Sequence, residues 1–186
     1  KLIGTNYFLI FYKRKKRNTK NKKIKIFISM GSVDKNGILH KSVKILRGKK
    51  FNKYFFYVYL PKNISFKNSI LNIIKKRKNF KFIKSPRNLL NFYKKIDGVI
   101  SSAGVTMYEQ LKFGFKPIII SQNSFQKKIA KNLNENKLIH KLNLNELSDR
   151  LPLIFDSKEH FTNNSESYKK LFSFNGHKKI LQILKK

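Results

Sequence analysis

Residues 97–133 read DGVISSAGVTMYEQLKFGFKPIIISQNSFQKKIAKNL, and this stretch decides the fold class. Apolar residues 98–100 lead into the small residues 101–104, after which a helix is predicted to begin near Val105. Gly114 ends that helix, and a second apolar run, a polar loop and a second helix follow. The order strand, loop, helix, strand, loop, helix is typical of a parallel α/β protein.

The same alternation extends over the rest of the chain. Short apolar runs predict strands at 24–29, 54–60, 80–83, 99–100, 118–120 and 138–139. Helical spacing of apolar residues predicts helices over 38–46, around 70–74, near 89–93, from 105, from 126 to 135, and through most of 143–186 with breaks near Pro152 and Gly176. Alternating elements imply right-handed crossovers, so we expect an α/β fold with a Rossmann-like, mainly parallel sheet and flanking helices.

The beginning of the chain differs in composition from the rest. A dozen mostly apolar residues are followed by a polar, basic stretch from 13 to 23 that is typical of a linker. We therefore predict a linker region over 1–23 and one α/β domain over 24–186. Residue 1 is Lys rather than Met, so we expect a fragment or a processed piece.

The formal net charge is +34, from 43 basic and 9 acidic residues. Only six of the basic residues are arginines, at positions 14, 17, 47, 77, 87 and 150. Specific readout of nucleic acid favours Arg, and Asn, Ile, Phe and Tyr are also abundant here, so compositional drift in an A+T-rich genome explains the charge best. Nucleic-acid binding is the disfavoured alternative, and peripheral attraction to an anionic membrane surface is the remaining one.

Several functional classes find no support in the sequence. The chain has no cysteine, and it has neither an apolar run long enough to span a bilayer nor a signal-peptide core, so we expect a cytoplasmic location. No nucleophile–base arrangement or paired carboxylates can be argued, so catalytic residues stay unassigned and no cofactor is expected. The histidines are too scattered to predict a metal site, at positions 40, 140, 160 and 177.

Two loops follow predicted strands and carry small residues, one near Gly31 and one near Gly104. Ligands of parallel sheets bind beyond the carboxyl ends of strands, and a helix start beside small residues lets a phosphate approach backbone N–H groups. Glu109 could accept hydrogen bonds from a ribose diol, and Asp34 could cap the next helix or contact a sugar. The alternative is two ordinary turns and a surface glutamate. The candidate binding residues are Gly31, Ser32, Asp34, Ser102, Ala103, Gly104, Val105, Thr106, Glu109 and Gln126.

Three ordered segments resemble the PseG/SpsG-like family, whose named member is UDP-2,4-diacetamido-2,4,6-trideoxy-β-L-altropyranose hydrolase of pseudaminic acid biosynthesis. GTNYFLI at 4–10 is similar to the family's G-P-x-Y-A-L-L, and ISMGSVD at 28–34 to its V-S-F-G-G-S-D. SAGVTMYE at 102–109 is similar to A-A-G-S-T-x-W-E, and it is followed by counterparts of G-x-P and N-Q at Gly114, Pro117 and Gln126. The family pattern differs at Ser32, Tyr108 and Phe125. The broader resemblance is to the C-terminal half of GT-B enzymes, which include MurG-type N-acetylglucosaminyltransferases.

The resemblance implies a role for each segment. UDP would be held by the loop around Gly104, with Glu109 on the ribose and Gln126 near the sugar, and residues 1–23 would form an interdomain crossover with a basic linker. The intact enzyme would add water to a UDP-sugar and release UDP and the free sugar. We expect the family's N-terminal domain, with its glycine-rich loop and a histidine thought to act in hydrolysis, to be missing from this chain. We therefore expect this chain to be the nucleotide-holding half, inactive alone.

Two other functions stay open at this point. One is a MurG-like glycosyltransferase domain, which would transfer a sugar from a UDP-sugar to a lipid or glycan. The other is a basic nucleic-acid-binding module, whose binding would be salt-sensitive and independent of Glu109.

Overall fold

The computed structural model describes residues 23–34, 36–62, 64–84, 89–157 and 176–184. Within them six strands form a single parallel sheet, which confirms the predicted α/β class. The strands are β1 (Ile24–Ser29), β2 (Tyr54–Tyr59), β3 (Phe80–Ile83), β4 (Gly98–Ser101), β5 (Ile118–Ile120) and β6 (His140–Leu142). The predicted linker, apart from Lys23, lies outside the described residues.

The strand order is β3-β2-β1-β4-β5-β6, the doubly wound arrangement. On β1, Ile26 pairs with Phe56 of β2 on one side and with Gly98 of β4 on the other. The chain builds outward from β1 in one direction and then returns to build outward from β4 in the other. A crevice therefore opens beyond the carboxyl ends of β1 and β4, where the strand order reverses.

Helices cover both faces of the sheet. They are α1 (Ile38–Leu46), α2 (Lys67–Lys75), α3 (Leu89–Tyr93), α4 (Val105–Phe113), α5 (Ser124–Glu135), α6 (Leu147–Asp156) and α7 (Gly176–Leu184). Ile26 and Ile28 of β1 pack in a core with α1, α2 and α6, whereas Phe27 points to the opposite face with Tyr93 of α3 and Phe113 of α4. Because β1 is buried on both faces, its sequence is a nearly continuous apolar run rather than an alternating one.

Two sequence-based boundaries were wrong. The helix predicted to break near Pro152 continues through Leu147–Asp156, because Leu151, Ile154 and Phe155 are buried and their packing outweighs the lost backbone N–H. The last strand begins at His140 rather than at residue 138. Leu138 instead closes the turn after α5, where its N–H donates to the carbonyl of Leu133.

His40 of α1 contacts two residues, one from the segment that leads into α2 and one from α2 itself. The side chain is buried, its Nε2 lies 2.8 Å from the Ser69 hydroxyl of α2, and its ring stacks on Phe66 at 4.8 Å. Burial and the neighbouring Lys44 charge lower the pKa of His40. In the described part of the chain, no helix has the length and apolarity to cross a bilayer.

Candidate functional site

Two adjoining cavities open at the carboxyl ends of β1 and β4, and together they form what we call the cleft. One has a volume of about 280 Å³ and lies between the loops that follow β1, β4 and β5. The other, of about 320 Å³, extends toward Tyr59 of β2 and Leu89 of α3. The two share the residues Ser29, Gly31, Ser32 and Thr106.

Seven of the ten predicted binding residues line the first cavity. They are Gly31, Ser32, Ser102, Gly104, Val105, Thr106 and Gln126. The structure therefore brings together residues that lie almost a hundred positions apart in sequence. The other three, Asp34, Ala103 and Glu109, do not line either cavity of the cleft.

The β1 loop turns at Gly31, whose φ of +82° lies in the region that favours glycine. Its N–H points to the Ser29 hydroxyl at 3.4 Å. A Cβ on Gly31 would lie 3.8 Å from the Ser102 hydroxyl, so conformation rather than space requires glycine here. The turn brings the β1 loop close to the β4 loop across the crevice.

Asp34 is buried and caps helix α1. Its two carboxylate oxygens accept hydrogen bonds from the backbone N–H groups of Ile38 and Leu39, each at 2.8 Å. Those N–H groups have no partner inside the helix, so the carboxylate satisfies two of the four unpaired donors at its start. Of the two roles that the sequence suggested for Asp34, the structure shows the cap; contact with a ligand stays a prediction.

Helix α4 begins at the cleft without a side-chain cap. Gly104 is its N-cap, its first turn has no acidic residue, and Val105 and Thr106 line the cavity. The Gly104 N–H is used locally, since it donates to the Ser102 carbonyl at 2.9 Å. The Met107 N–H donates to the Gly104 carbonyl at 3.1 Å, so the N–H groups of Val105 and Thr106 and the positive end of the helix dipole are left for the cavity, an arrangement suited to an anion.

Nothing within the described chain requires a glycine at position 104. Its φ of −117° is ordinary, and a Cβ built there would meet no atom within 4 Å. Gly98 gives the contrast: a Cβ there would lie 2.3 Å from the Phe155 ring, so packing alone excludes a side chain. The space beside Gly104 opens into the cleft.

The β5 loop contributes two amide side chains. Gln126 accepts a hydrogen bond from the Gln122 N–H at 2.9 Å, and its own N–H donates to the Asn123 side chain that caps α5. Gln122 donates from its Nε2 to the Met30 carbonyl at 2.6 Å and so ties this loop to the β1 loop. Sequence reasoning missed Gln122, although its place directly after a predicted strand was the signal that could have found it.

Other side chains at the start of α4 make contacts inside the protein. Ala103 packs between α4 and α5, and the Ser101 hydroxyl donates to Gln110 at 2.7 Å. Glu109 lies one turn into α4, about 6 Å along the axis from Val105, and near Tyr93 of α3. Partial burial raises the pKa of Glu109, and its carboxylate has no hydrogen bond to the described residues.

The cleft is uncharged. Among its described lining residues there is no Lys, Arg, His, Asp or Glu. The described residues also include no group of three or more potential ligands that would hold a metal ion. Polar recognition in the cleft therefore depends on backbone groups, hydroxyls and amides.

The fold is similar to that of solved glycosyltransferases and of an epimerase. The glycosyltransferase of kitacinnamycin matches 92% of this chain with a TM-score of 0.69 at 11% identity. The glycosyltransferase SnogD from Streptomyces nogalater matches 89% of this chain with a TM-score of 0.64 at 16% identity. UDP-GlcNAc 2-epimerase from Neisseria meningitidis, whose structure was solved with bound UDP-GlcNAc, matches 90% of this chain with a TM-score of 0.60 at 15% identity. The chain has a GT-B-like fold, and it spans 44–45% of the length of these structures.

Sequence comparison gives a more limited match. Uncharacterized protein MJ1062 of Methanocaldococcus jannaschii is 29% identical over 134 residues, which cover 67% of this chain and 28% of that protein. No protein-family model matches the chain. The chain thus corresponds to a part of a longer relative, and the comparisons establish its fold.

Proposed function

We propose that the cleft binds the nucleotide of a UDP-sugar. The observation that carries this proposal is the uncapped start of α4 beside Gly104, with open space on the cavity side. In the structurally similar epimerase from Neisseria meningitidis, the bound molecule is UDP-GlcNAc. A cleft at the point where strand order reverses is also where α/β sheets take nucleotides.

The diphosphate would lie against the start of α4. Helix N-termini bind phosphate through N–H groups and the helix dipole, so a cation in the cleft is not required. Gly104 allows a phosphate oxygen to approach the backbone, since a Cβ at this position would project into the open space. Ser32 and Thr106, on opposite sides of the cavity, supply hydroxyl donors.

The ribose would extend beyond the two cavities along α4 toward Glu109, which lines neither of them. Partial burial disfavours the charged form of this carboxylate, which is why its pKa is raised. Two ribose hydroxyls would supply the hydrogen bonds that the carboxylate lacks among the described residues. Nucleotide binding would then lower the pKa of Glu109, because hydrogen bonds to the ionised form favour it.

The reaction we favour is hydrolysis of a UDP-linked 2,4-diacetamido-trideoxy sugar, as the family resemblance implies. The described cleft lining supplies binding groups but no imidazole, carboxylate or amine for acid–base chemistry. Catalytic groups would therefore come from outside the described cleft lining. This agrees with a chain that spans less than half of the length of the similar solved structures. Transfer of the sugar to an acceptor is the second candidate, favoured by the glycosyltransferases among those structures.

Calorimetric titration with UDP tests the binding proposal. We expect saturable binding by the wild type and its loss in Gly104→Ala, because the added methyl group occupies the space proposed for the phosphate. Gly48→Ala is a matched control, since Gly48 also has an ordinary φ of −59° and lies outside the cleft. Absence of UDP binding by the wild type, or equal binding by Gly104→Ala, would contradict the proposal.

A product assay separates the two reactions. The longest natural form of the protein, incubated with UDP-sugars, should release UDP and a free reducing sugar in equal amounts. Release of UDP only when an acceptor glycan or lipid is added would select the transferase. Single-stranded DNA that displaces UDP from the wild type would instead support a nucleic-acid site in the cleft.

A further inference from the structure

A strongly basic cavity lies away from the cleft, between α1 and α2. It has a volume of about 520 Å³, and we call it the α1–α2 groove. Five of its nine lining residues are basic and none is acidic: Lys44, Arg47, Lys49, Lys76 and Arg77. The groove therefore concentrates positive charge in a concave surface.

Helix geometry places this groove at the opposite end of the domain from the cleft. Helix α1 begins at the carboxyl edge of the sheet and runs back over nine residues, about 13 Å. Lys44 lies in its last turn and Arg47 is its C-cap. On α2, Ser69, Ile73 and Lys76 follow at intervals of four and three residues and so share one helix face. A ligand in the groove would not compete with a nucleotide in the cleft.

Compositional drift toward lysine does not account for the groove. Two of the six arginines in the sequence, Arg47 and Arg77, lie in this one nine-residue lining. Arg77 donates from Nη2 to the Arg47 carbonyl and to the Asn52 side chain, which fixes its guanidinium at the groove. Its Nε is buried and has no hydrogen-bond partner among the described residues.

Two acidic residues of α6 are paired with lysines that do not line the groove. Asp149 lies 3.2 Å from Lys50, and Asp156 lies 2.7 Å from Lys53. Among the described residues, none of the five groove cations forms an ion pair. The charge of the groove is therefore not neutralised within the described fold.

The basic surface continues from the groove over the amino edge of the sheet. Because all six strands are parallel, their starts meet at this edge. Lysines precede the strands there, at positions 23, 53, 78, 95, 116 and 137, and of these Lys53 is paired with Asp156. A broad cationic end with one concave groove fits an extended anionic surface whose headgroups protrude.

We propose that the α1–α2 groove receives the phosphate of an anionic phospholipid and that this end of the domain rests on an anionic bilayer. Clustered lysine and arginine are attracted to such surfaces, and Arg binds phosphate bidentately. No aromatic side chain lines the groove in the described structure, so it lacks the stacking platform of single-strand nucleic-acid sites. In this orientation the cleft faces away from the bilayer.

Vesicle sedimentation tests the proposal with the complete chain. Vesicles of phosphatidylcholine alone are compared with vesicles that contain phosphatidylglycerol, at near-physiological salt. The groove variant combines Lys44→Gln, Arg47→Gln and Lys76→Gln. The control combines Lys62→Gln, Lys127→Gln and Lys128→Gln, which remove the same charge from exposed positions at the cleft end.

We expect the wild type and the control to bind only the phosphatidylglycerol vesicles and the groove variant to bind them about 100-fold more weakly, since each cation near the surface contributes to the partition. If both variants weakened vesicle binding equally, the groove would not be the lipid site, because binding would then depend only on total charge. Binding of single-stranded RNA or free phosphate in the groove without vesicle binding would overturn the bilayer as its partner. Thermal melting and UDP titration of both variants check that the fold and the cleft are intact.

His40 supplies a second readout that a folding defect would not mimic. Its Nε2 contacts Ser69, which lines the groove, and the Lys44 charge helps to lower its pKa. A phosphate beside Lys44 would offset that charge and raise the His40 pKa. NMR titration with and without short-chain phosphatidylglycerol should show this rise; an unchanged pKa at saturating lipid would place the lipid elsewhere.

Discussion

The cleft and the α1–α2 groove differ in how they can recognise phosphate. The sequence contains 43 basic residues, yet none of the described residues that line the cleft is charged, whereas five cations line the groove. The cleft offers fixed backbone N–H groups, hydroxyls and a helix dipole. The groove offers the charged side chains of lysine and arginine. A basic protein can thus keep cations out of the lining of its candidate nucleotide cleft, so that the basic charge and nucleotide binding are separable properties.

The largest expected contrast lies between two glycines. Gly98→Ala should reduce the free energy of unfolding by about 1–3 kcal/mol or more, because its Cβ would overlap the Phe155 ring at 2.3 Å. Gly104→Ala should change stability by less than about 1 kcal/mol, since its backbone is unstrained and its Cβ meets no atom within 4 Å, although alanine is a poorer N-cap than glycine. Urea unfolding of both variants measures this. Strong destabilisation by Gly104→Ala would mean that the glycine serves folding rather than a ligand.

Glu109 should dominate the side-chain contribution to nucleotide affinity. Glu109→Gln should weaken UDP binding about 10-fold to 100-fold, the range for hydrogen bonds to a charged group. Because its pKa is raised in the free protein, affinity should also fall as the pH drops through that raised pKa, and the variant should lose this dependence. Calorimetry at several pH values measures both effects. Glu135→Gln, at an exposed position on α5, is the control and should bind UDP as the wild type does.

Ligand binding at the cleft and at the groove should depend differently on salt concentration. Between about 50 and 200 mM salt, vesicle binding should fall more than about tenfold, whereas UDP affinity should change less than about threefold, because exposed charges are screened and close backbone contacts are screened less. Parallel titrations on one protein preparation measure the two slopes. A UDP slope as steep as the vesicle slope would indicate that surface lysines hold the nucleotide.

The smallest effect concerns His40. Its lowered pKa means that the folded state favours the neutral imidazole, so its contribution to stability is complete above pH 6.5 and is lost as the pH falls through the lower folded-state pKa. Lys44 is the charged neighbour responsible for part of this shift, and burial for the larger part. His40→Gln should make stability less dependent on pH in this window, measured by urea unfolding. A variant with the same pH dependence as the wild type would assign the effect to another group.

The sheet could be predicted from the sequence because each buried strand is a short apolar run bounded by turn residues. The cleft could be predicted in large part for the same reason, since Gly31 and Gly104 directly follow strands and topology brings strand ends together. The role of Asp34 was ambiguous, because a carboxylate before a helix serves equally as a cap or as a ligand group. Local chemistry alone did not decide between them.

Other features depended on contacts between distant segments. The Gln122 side chain acquires its role only through Met30, 92 residues earlier. Pro152 stays inside α6 because Leu151 and Phe155 are buried, which local propensity does not reveal. The α1–α2 groove requires the end of one helix to meet the face of another, and in the sequence its cations were indistinguishable from the general excess of lysine.

Backbone amide NMR of the 186-residue chain distinguishes the two phosphate sites in one experiment. With UDP added, we expect chemical-shift changes concentrated at Gly31, Ser32 and residues 104–106, with none at residues 44–49. Short-chain phosphatidylglycerol should produce the reverse pattern. UDP-induced changes confined to residues 44–49, with residues 104–106 unmoved, would contradict nucleotide binding in the cleft, because the positive charge and not the helix start would then bind the nucleotide.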